Sequence, residues 1–190
     1  MTALLELPDV RERVQGLSVE GYHRLGELQM LSEQVELLRG FVIAKMPKSP
    51  LHELVAQKLM KLLLAQVPNG FEVRPERPLT LRDSEPEPDI SVVRGQPDDW
   101  VRVHPSSAHL VVEVAVSSTA LDLGKAEIYS EAGIPEYWLV RPEDRAVDVY
   151  SHPADSGYLS KCTLSEKDVL RCASVPGVEL TVGAILPANA

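Results

Sequence analysis

The chain predicts an α+β fold, a central mixed β-sheet flanked by helices with additional antiparallel strands, and three observations carry that expectation. Residues 109–140 read as strand, helix, strand, the arrangement that links neighbouring strands through a crossover. Apolar runs at 35–38 and 41–46 flank Arg39-Gly40, and further runs at 146–150 and 157–164 face each other across a break, so antiparallel pairs accompany that unit. A stripe of Leu51, Leu54, Val55, Leu59, Leu62 and Leu63 recurs at helical spacing and supplies a helix to cover a sheet face, with Lys58 and Lys61 on its wetter side.

The length of 190 residues fits one domain, expected over 18–190 and preceded by a partly ordered lead-in at 1–17 broken by Pro8 and Gly16. Acidic residues outnumber basic ones by 28 to 19, which argues against a membrane-surface protein and against a general polyanion coater. A nucleic-acid enzyme stays open, because a local basic patch or a divalent metal offsets an acidic average. No apolar run approaches the roughly 20 residues that span a bilayer, and MTALLELPDVRER lacks the basic-then-apolar order of a signal peptide. A cytoplasmic protein without membrane contact is expected. Cys162 and Cys172 stand ten apart with no companion pair, so two ordinary thiols are expected rather than a zinc site or a disulfide.

Taken in order, Ser18 caps a short helix whose Val19, Tyr22, Leu25 and Leu28 should face the core. Glu36 sits inside the first strand of the 35–46 hairpin, where a solvent-facing acid and a functional one are equally good readings. Ser49 and Pro50 open the long helix, which should run to about Val67. His52, in its first turn, is either a surface or capping histidine or one placed beside an anion drawn to the helix start. After the turn at Pro68-Asn69-Gly70, short strands are expected at 71–73 and 79–81. Pro88 biases the backbone to extended geometry and holds Asp89 at the head of the apolar strand that follows. Residues 94–108 form a loop anchored by Trp100. Ser118 or Thr119 caps the next helix, Gly133 and Pro135 end it, RPEDR turns the chain at 141–145, and 168–174 and 178–186 close it as strands. No repeat, P-loop or G-x-G-x-x-G element is present.

The residue that asks for an explanation is Glu113, an acid inside the apolar run 109–116, because a buried carboxylate is costly unless a cation or donor compensates it. Asp89 heads the preceding strand, and Lys125 lies on the following helix, on the face shared with Leu121 and Ile128. Phosphodiester hydrolysis needs a divalent ion, a positioned water and stabilisation of the charge that builds on oxygen. Carboxylates on neighbouring strands suit the ion, the Val114 backbone carbonyl could add a ligand, and the lysine ammonium suits the water or the developing charge. Asp122, three residues before Lys125, either pairs with it or faces solvent.

Pro88-Asp89 followed by a strand bearing Glu113 resembles the PD-(D/E)XK nuclease pattern. Within it, ELLRG at 36–40, PKSPLH at 47–52, EPDISVV at 87–93, VVEVAVSS at 111–118 and YSEAGIPEYWLV at 129–140 resemble the Uma-two family of restriction-endonuclease-like proteins, over about residues 18–186. The resemblance implies a restriction-endonuclease-like core and a metal-dependent endonuclease acting on nucleic acid, DNA before RNA, with Mg²⁺ or Mn²⁺ as cofactor. The superfamily places a lysine two residues after the glutamate, where this chain has Ala115; the Uma-two pattern supplies it from the next helix, as Lys125. By the same resemblance Glu36 joins Asp89 and Glu113 as an acid of the site, and His52 lines it. Two other readings stand beside this one. A catalytically silent binding or scaffold protein with the same fold is supported by the acidic charge and by the absence of a basic aromatic run, and a small-molecule hydrolase could use the same metal. The apolar tail VELTVGAIL and the exposed hairpins suggest a homodimer or higher homo-oligomer.

Overall fold

Two serines start two helices in the same way in the computed structural model, which describes residues 7, 10, 13–116 and 119–188. The Ser18 hydroxyl accepts the Gly21 amide at 3.0 Å and opens α1, Val19–Glu27. The Ser49 hydroxyl accepts the His52 amide at 3.3 Å and opens α2, Pro50–Gln66. Neither helix buries quite the face its spacing suggests. No residue of α1 is fully buried: Val19, Tyr22 and Leu25 of the expected core face are half-buried, and Leu28, just past its end, is 58% exposed. Its use is local: the Tyr22 hydroxyl donates to the Val35 carbonyl. In α2 the buried spine is His52, Val55, Leu59 and Leu63, which keeps a strict i, i+3, i+4 phase and leaves Leu54 outside it.

Strands β1 (Val35–Leu38) and β2 (Phe41–Ala44) pair antiparallel around Arg39 and Gly40, both at positive φ, 49° and 79°. Two successive left-handed residues make the tight hairpin turn, and glycine is required at the second for a further reason. A Cβ there would stand 2.6 Å from the Gly16 Cα. Gly40→Ala is expected to cost more than about 1 kcal/mol, read as a Tm drop of several degrees, because the strained φ and the backbone clash add. The hairpin is tied down by Leu37 and Glu85, which exchange backbone hydrogen bonds, and by the Ser84 hydroxyl, which accepts the Arg39 amide.

The central sheet has the order β3-β4-β5-β6-β7-β8: Phe71–Pro75, Ile90–Arg94, Leu110–Val114, Glu136–Arg141, Ala146–Ala154 and Gly157–Ser165. Only β5 and β6 are parallel, joined through α3, Thr119–Glu131, as the strand-helix-strand reading of 109–140 requires. Gly133 ends that helix at φ 70°. Of the two expected caps, Ser118 lies outside the described residues and Thr119 is the first residue of the helix. Leu79 to Leu81 does not form a strand. Its amides turn back on their own loop, Leu79 to Pro86 and Leu81 to Ser84, and Pro78, Pro86 and Pro88 have no N–H to offer a ladder. The buried Leu79 and Leu81 side chains are what the apolar run serves.

The chain ends in a small antiparallel pair, β9 (Val169–Arg171) and β10 (Glu179–Thr181). Past Thr181 it turns into α4, Val182–Ile185, where a continuing strand was expected, because the Val182 and Gly183 amides reach back to the Asp168 and Glu166 carbonyls. Leu180, Val182, Ile185 and Leu186 are buried, so this tail belongs to the core and cannot form the dimer surface suggested by its apolar sequence. Strand alternation sends Val112, Val114, Trp138 and Val140 to one face, under α2, β9, β10 and α4. Val111, Ala115, Tyr137 and Leu139 go to the other, under α3 and Leu38, Leu79 and Leu81. The cysteines are free, Cys162 exposed and Cys172 buried. Among the described residues no helix is long and apolar enough to cross a membrane.

Candidate active site

The site forms where β4 and β5 part. Their pairing stops at Ile90 opposite Val112, and Pro88 has no N–H to extend it. In place of the next rung, the Asp89 carboxylate accepts the Val114 amide at 2.8 Å, while the Asp89 amide donates to Glu113 Oε2 at 3.2 Å. The two acids are thereby braced against each other's strands. On one side α2 contributes His52, whose Nε2 lies 2.8 Å from Asp89 Oδ2; Lys48, just before the helix, places its Nζ 2.8 Å from Oδ1. The positive end of α2 adds to this preference for an anion. On the other side α3 presents Lys125, whose Nζ stands 3.0 Å from both Glu113 Oε1 and Glu36 Oε1. Tyr129, one turn further on, donates its hydroxyl to Glu113 Oε1 at 2.9 Å. Glu36 is held in place by the Glu87 amide at 3.2 Å, from the segment that anchors the hairpin.

The sequence therefore singles out Glu36, Asp89, Glu113 and Lys125 as one constellation, and the fold brings all four together, each at least 93% buried. His52 is no surface histidine: it is 91% buried and bonded to Asp89. Asp122 is buried as well, which removes the solvent-facing reading, and it lines the same cavity while its carbonyl accepts the Tyr137 hydroxyl. Ala115 lies on the face of Glu113, and the ammonium that stands beside Glu113 belongs to Lys125 on α3. Sequence reasoning missed Lys48 and Tyr129. Tyr129 was within reach, since it stands four residues after Lys125 on one helical face; Lys48 lies in a loop, where no periodicity marks direction.

These side chains line a cavity of about 340 Å³ between the hairpin, the start of α2 and α3. Seven carboxylates border it against three lysines and one histidine. Burial first, and then the charges of Asp89, Asp122 and Glu36, push the Glu113 carboxyl up to about 8, although Lys125 pulls the other way. Burial works against the Lys125 ammonium, yet Glu113 and Glu36 outweigh it and hold its pKa above the ordinary value. Burial also opposes ionisation of Asp89, but the hydrogen bond and charge of His52, with Lys48, hold it below the usual range. The Tyr129 hydroxyl is raised by burial and stays a donor.

The linkage has opposite signs at the two acids. Glu113 has a folded pKa above its unfolded value of 4.5, so the fold binds its proton more tightly and loses stability as pH rises from 4.5 to about 8. Asp89 has a folded pKa below 3.8, so its contribution is present above that pH and is lost as pH falls through the folded value. Relative to wild type, Glu113→Gln is expected to gain Tm steadily between pH 5 and 8, whereas Asp89→Asn shows no such gain. Thermal melts at half-unit pH steps check this, and a flat Glu113→Gln difference would contradict it.

The donor set suits a hard divalent cation: carboxylate oxygens in excess over local positive charge, at the open end of a sheet. Among the described residues, no three His, Cys, Asp or Glu side chains already converge at ligating distance.

Comparison with known proteins places this geometry in context. A search of curated proteins found no match. Among solved structures, the fold matches a protein from Anabaena variabilis described as "a putative nuclease belonging to DUF820", with a TM-score of 0.71 and 17% identity over 85% of this chain and 96% of that one. At that identity the likeness is one of fold. The model of the Uma2 family, described as "Putative restriction endonuclease", matches residues 19–183, a span that contains Glu36, Asp89, Glu113 and Lys125, and the chain belongs to that family.

Proposed function

We propose that the chain is a metal-dependent endonuclease that hydrolyses phosphodiester bonds in nucleic acid, DNA before RNA, with Mg²⁺ or Mn²⁺ at the Asp89–Glu113 cleft. The observation that carries this reading is the convergence of Glu36 from β1, Asp89 from just before β4, Glu113 from β5 and Lys125 from α3 onto one acid-rich cavity. Asp89 and Glu113 would hold the ion, with Glu36 as an auxiliary ligand or base. The Val114 carbonyl, on the strand edge whose amide meets Asp89, is the remaining candidate ligand. When bound, such an ion neutralises phosphate charge and lowers the pKa of a bound water.

The residues themselves account for the rest. Lys125 keeps a full positive charge at neutral pH between Glu113 and Glu36, where it can orient the water or stabilise charge on a phosphate oxygen. Tyr129 fixes the Glu113 carboxylate from the buried side. Lys48 and His52 neutralise Asp89 and would yield when a cation takes their place, while Asp122 adds negative charge to the cavity wall. A homodimer stays part of the proposal through the exposed β7–β8 hairpin, where Leu159 is 76% exposed.

Incubation of the protein with supercoiled plasmid, single-stranded DNA and RNA, each with Mn²⁺, tests the activity and ranks the substrates. Cleavage of at least one, lost in Lys125→Ala, is the expected result. No cleavage of any substrate would favour the silent scaffold.

A further inference from the structure

We infer that a second, distinct site, built around Arg74 at the β3 edge of the sheet, binds a phosphate-class oxyanion. Arg74 is 94% buried, yet among the described residues its guanidinium makes no hydrogen bond. Its one ionic neighbour among them is Glu72, at 3.9 Å, which is too far for a hydrogen bond. Its Nε is fully enclosed and has no acceptor, and a buried cation left in that condition is costly. The neighbouring groups share the same deficit. Ser91, the cross-strand partner of Arg74, is wholly buried with an unpartnered hydroxyl. Trp100, whose ring lies 5.8 Å from the Arg74 guanidinium carbon, has an unpartnered indole N–H, and His104 on the same loop has an unpartnered Nδ1.

The loop is shaped to seat these groups. Gly95, at φ 137°, leaves the space that Trp100 occupies, since a Cβ there would meet the ring at 3.0 Å. Burial first disfavours the charged forms of Arg74 and His104; Glu72 and Glu85 respectively work against it, and Arg77 works with it at both. The acceptors nearby are few. Glu85 is already engaged by His23 and Thr80, and Asp99, beside Gly95, accepts the Gln96 amide, which leaves Glu72 with an unpartnered oxygen facing Arg74.

Unpartnered polar groups thus come from three segments, β3, β4 and the loop that carries Trp100 and His104, with Arg74 the cation among them. A tetrahedral oxyanion offers oxygens toward several segments at once, as a planar carboxylate does not. Trp100 and His104 are only half-buried, so part of each side chain reaches solvent although the polar atoms named are enclosed. It lies beside the acid cluster without sharing residues with it: Ser91 is two residues from Asp89, a rise of roughly 7 Å along the strand. The oxyanion can be a phosphate of the nucleic-acid backbone or the free ion, and the chemistry of recognition is the same.

Thermal melts in phosphate-free buffer containing a chelator, so that no divalent ion takes part, test the site independently of the nuclease reading. Millimolar inorganic phosphate is expected to raise the wild-type Tm by about 3 °C or more. Arg74→Met should show no rise, with its own Tm in phosphate-free buffer as the baseline, because the change also leaves the Glu72 carboxylate without its cation. Should Arg74→Met fail to fold, Arg77→Gln on the exposed rim serves in its place and should reduce the rise. Displacement of phosphate by a short DNA oligonucleotide lacking terminal phosphates would assign the site to the backbone; binding of inorganic phosphate alone would assign it to the free ion. No rise in wild type, or an equal rise in Arg74→Met, would overturn the inference.

Discussion

Millimolar Mg²⁺ or Mn²⁺ is expected to raise the Tm of the wild-type protein by several degrees, and Asp89→Ala is expected to abolish the rise. The size follows from mass action: an ion at about 100 times its dissociation constant contributes roughly 2.7 kcal/mol, and each kcal/mol is worth about 2–4 °C in a chain of this length. The sign follows from the cavity, where seven carboxylates face three lysines and one histidine and Glu113 is pushed up to about 8 by burial and by its acidic neighbours. A cation relieves that crowding. Asp89 is the informative residue to remove, because its carboxylate joins the amide of β5 to the start of α2 through Val114 and His52. Asp89→Ala also removes the carboxylate that His52 and Lys48 share, leaving Lys48 with Glu76, so its own Tm without metal is the baseline for the comparison.

The second large effect is expected at Lys125. Its ammonium is the common partner of Glu36 and Glu113, both nearly inaccessible to solvent. Lys125→Met removes the cation and leaves two buried acids, and removing one partner of a buried ion pair costs about 3–5 kcal/mol. Measured by denaturant unfolding at pH 8, that loss should shrink as pH falls and the Glu113 carboxyl takes up its proton. A double variant, Lys125→Met with Glu36→Gln, should recover part of the loss, since the acids and the lysine act as one network. Equal losses at pH 5 and pH 8 would mean that Lys125 acts through packing alone.

Much of this was legible in the sequence because the physical signals were local. A glutamate in an otherwise apolar strand, an aspartate fixed by a preceding proline and a lysine on the sheet-facing stripe of the next helix each mark themselves. The parallel β5–β6 unit and both hairpins followed from the same alternation and turn chemistry. What failed was tertiary. The face of α1 has helical periodicity but, among the described residues, bonds only to the hairpin and the Glu85 segment, so Val19, Tyr22 and Leu25 stay half-buried. Leu79 and Leu81 are buried as a strand would be, yet their backbone bonds close a proline-bound loop. The terminal VELTVGAIL is apolar because it fills the α2 face of the core. Lys48 was invisible because a loop lysine carries no directional pattern, and its approach to Asp89 depends on how α2 enters the fold. The unpartnered donors around Arg74 likewise exist only once β3, β4 and the Trp100 loop are in place.

The central claim, that Asp89, Glu113, Glu36 and Lys125 form a metal-dependent nuclease centre, is tested most directly by the Mn²⁺-dependent nicking rate of supercoiled plasmid, measured for wild type and Asp89→Asn purified side by side. The account predicts nicking by wild type that stops on chelation and a rate at least about 10³-fold lower in the variant, equivalent to about 4 kcal/mol of transition-state stabilisation. Equal nicking by the two proteins, or none by wild type with any divalent ion, would contradict it.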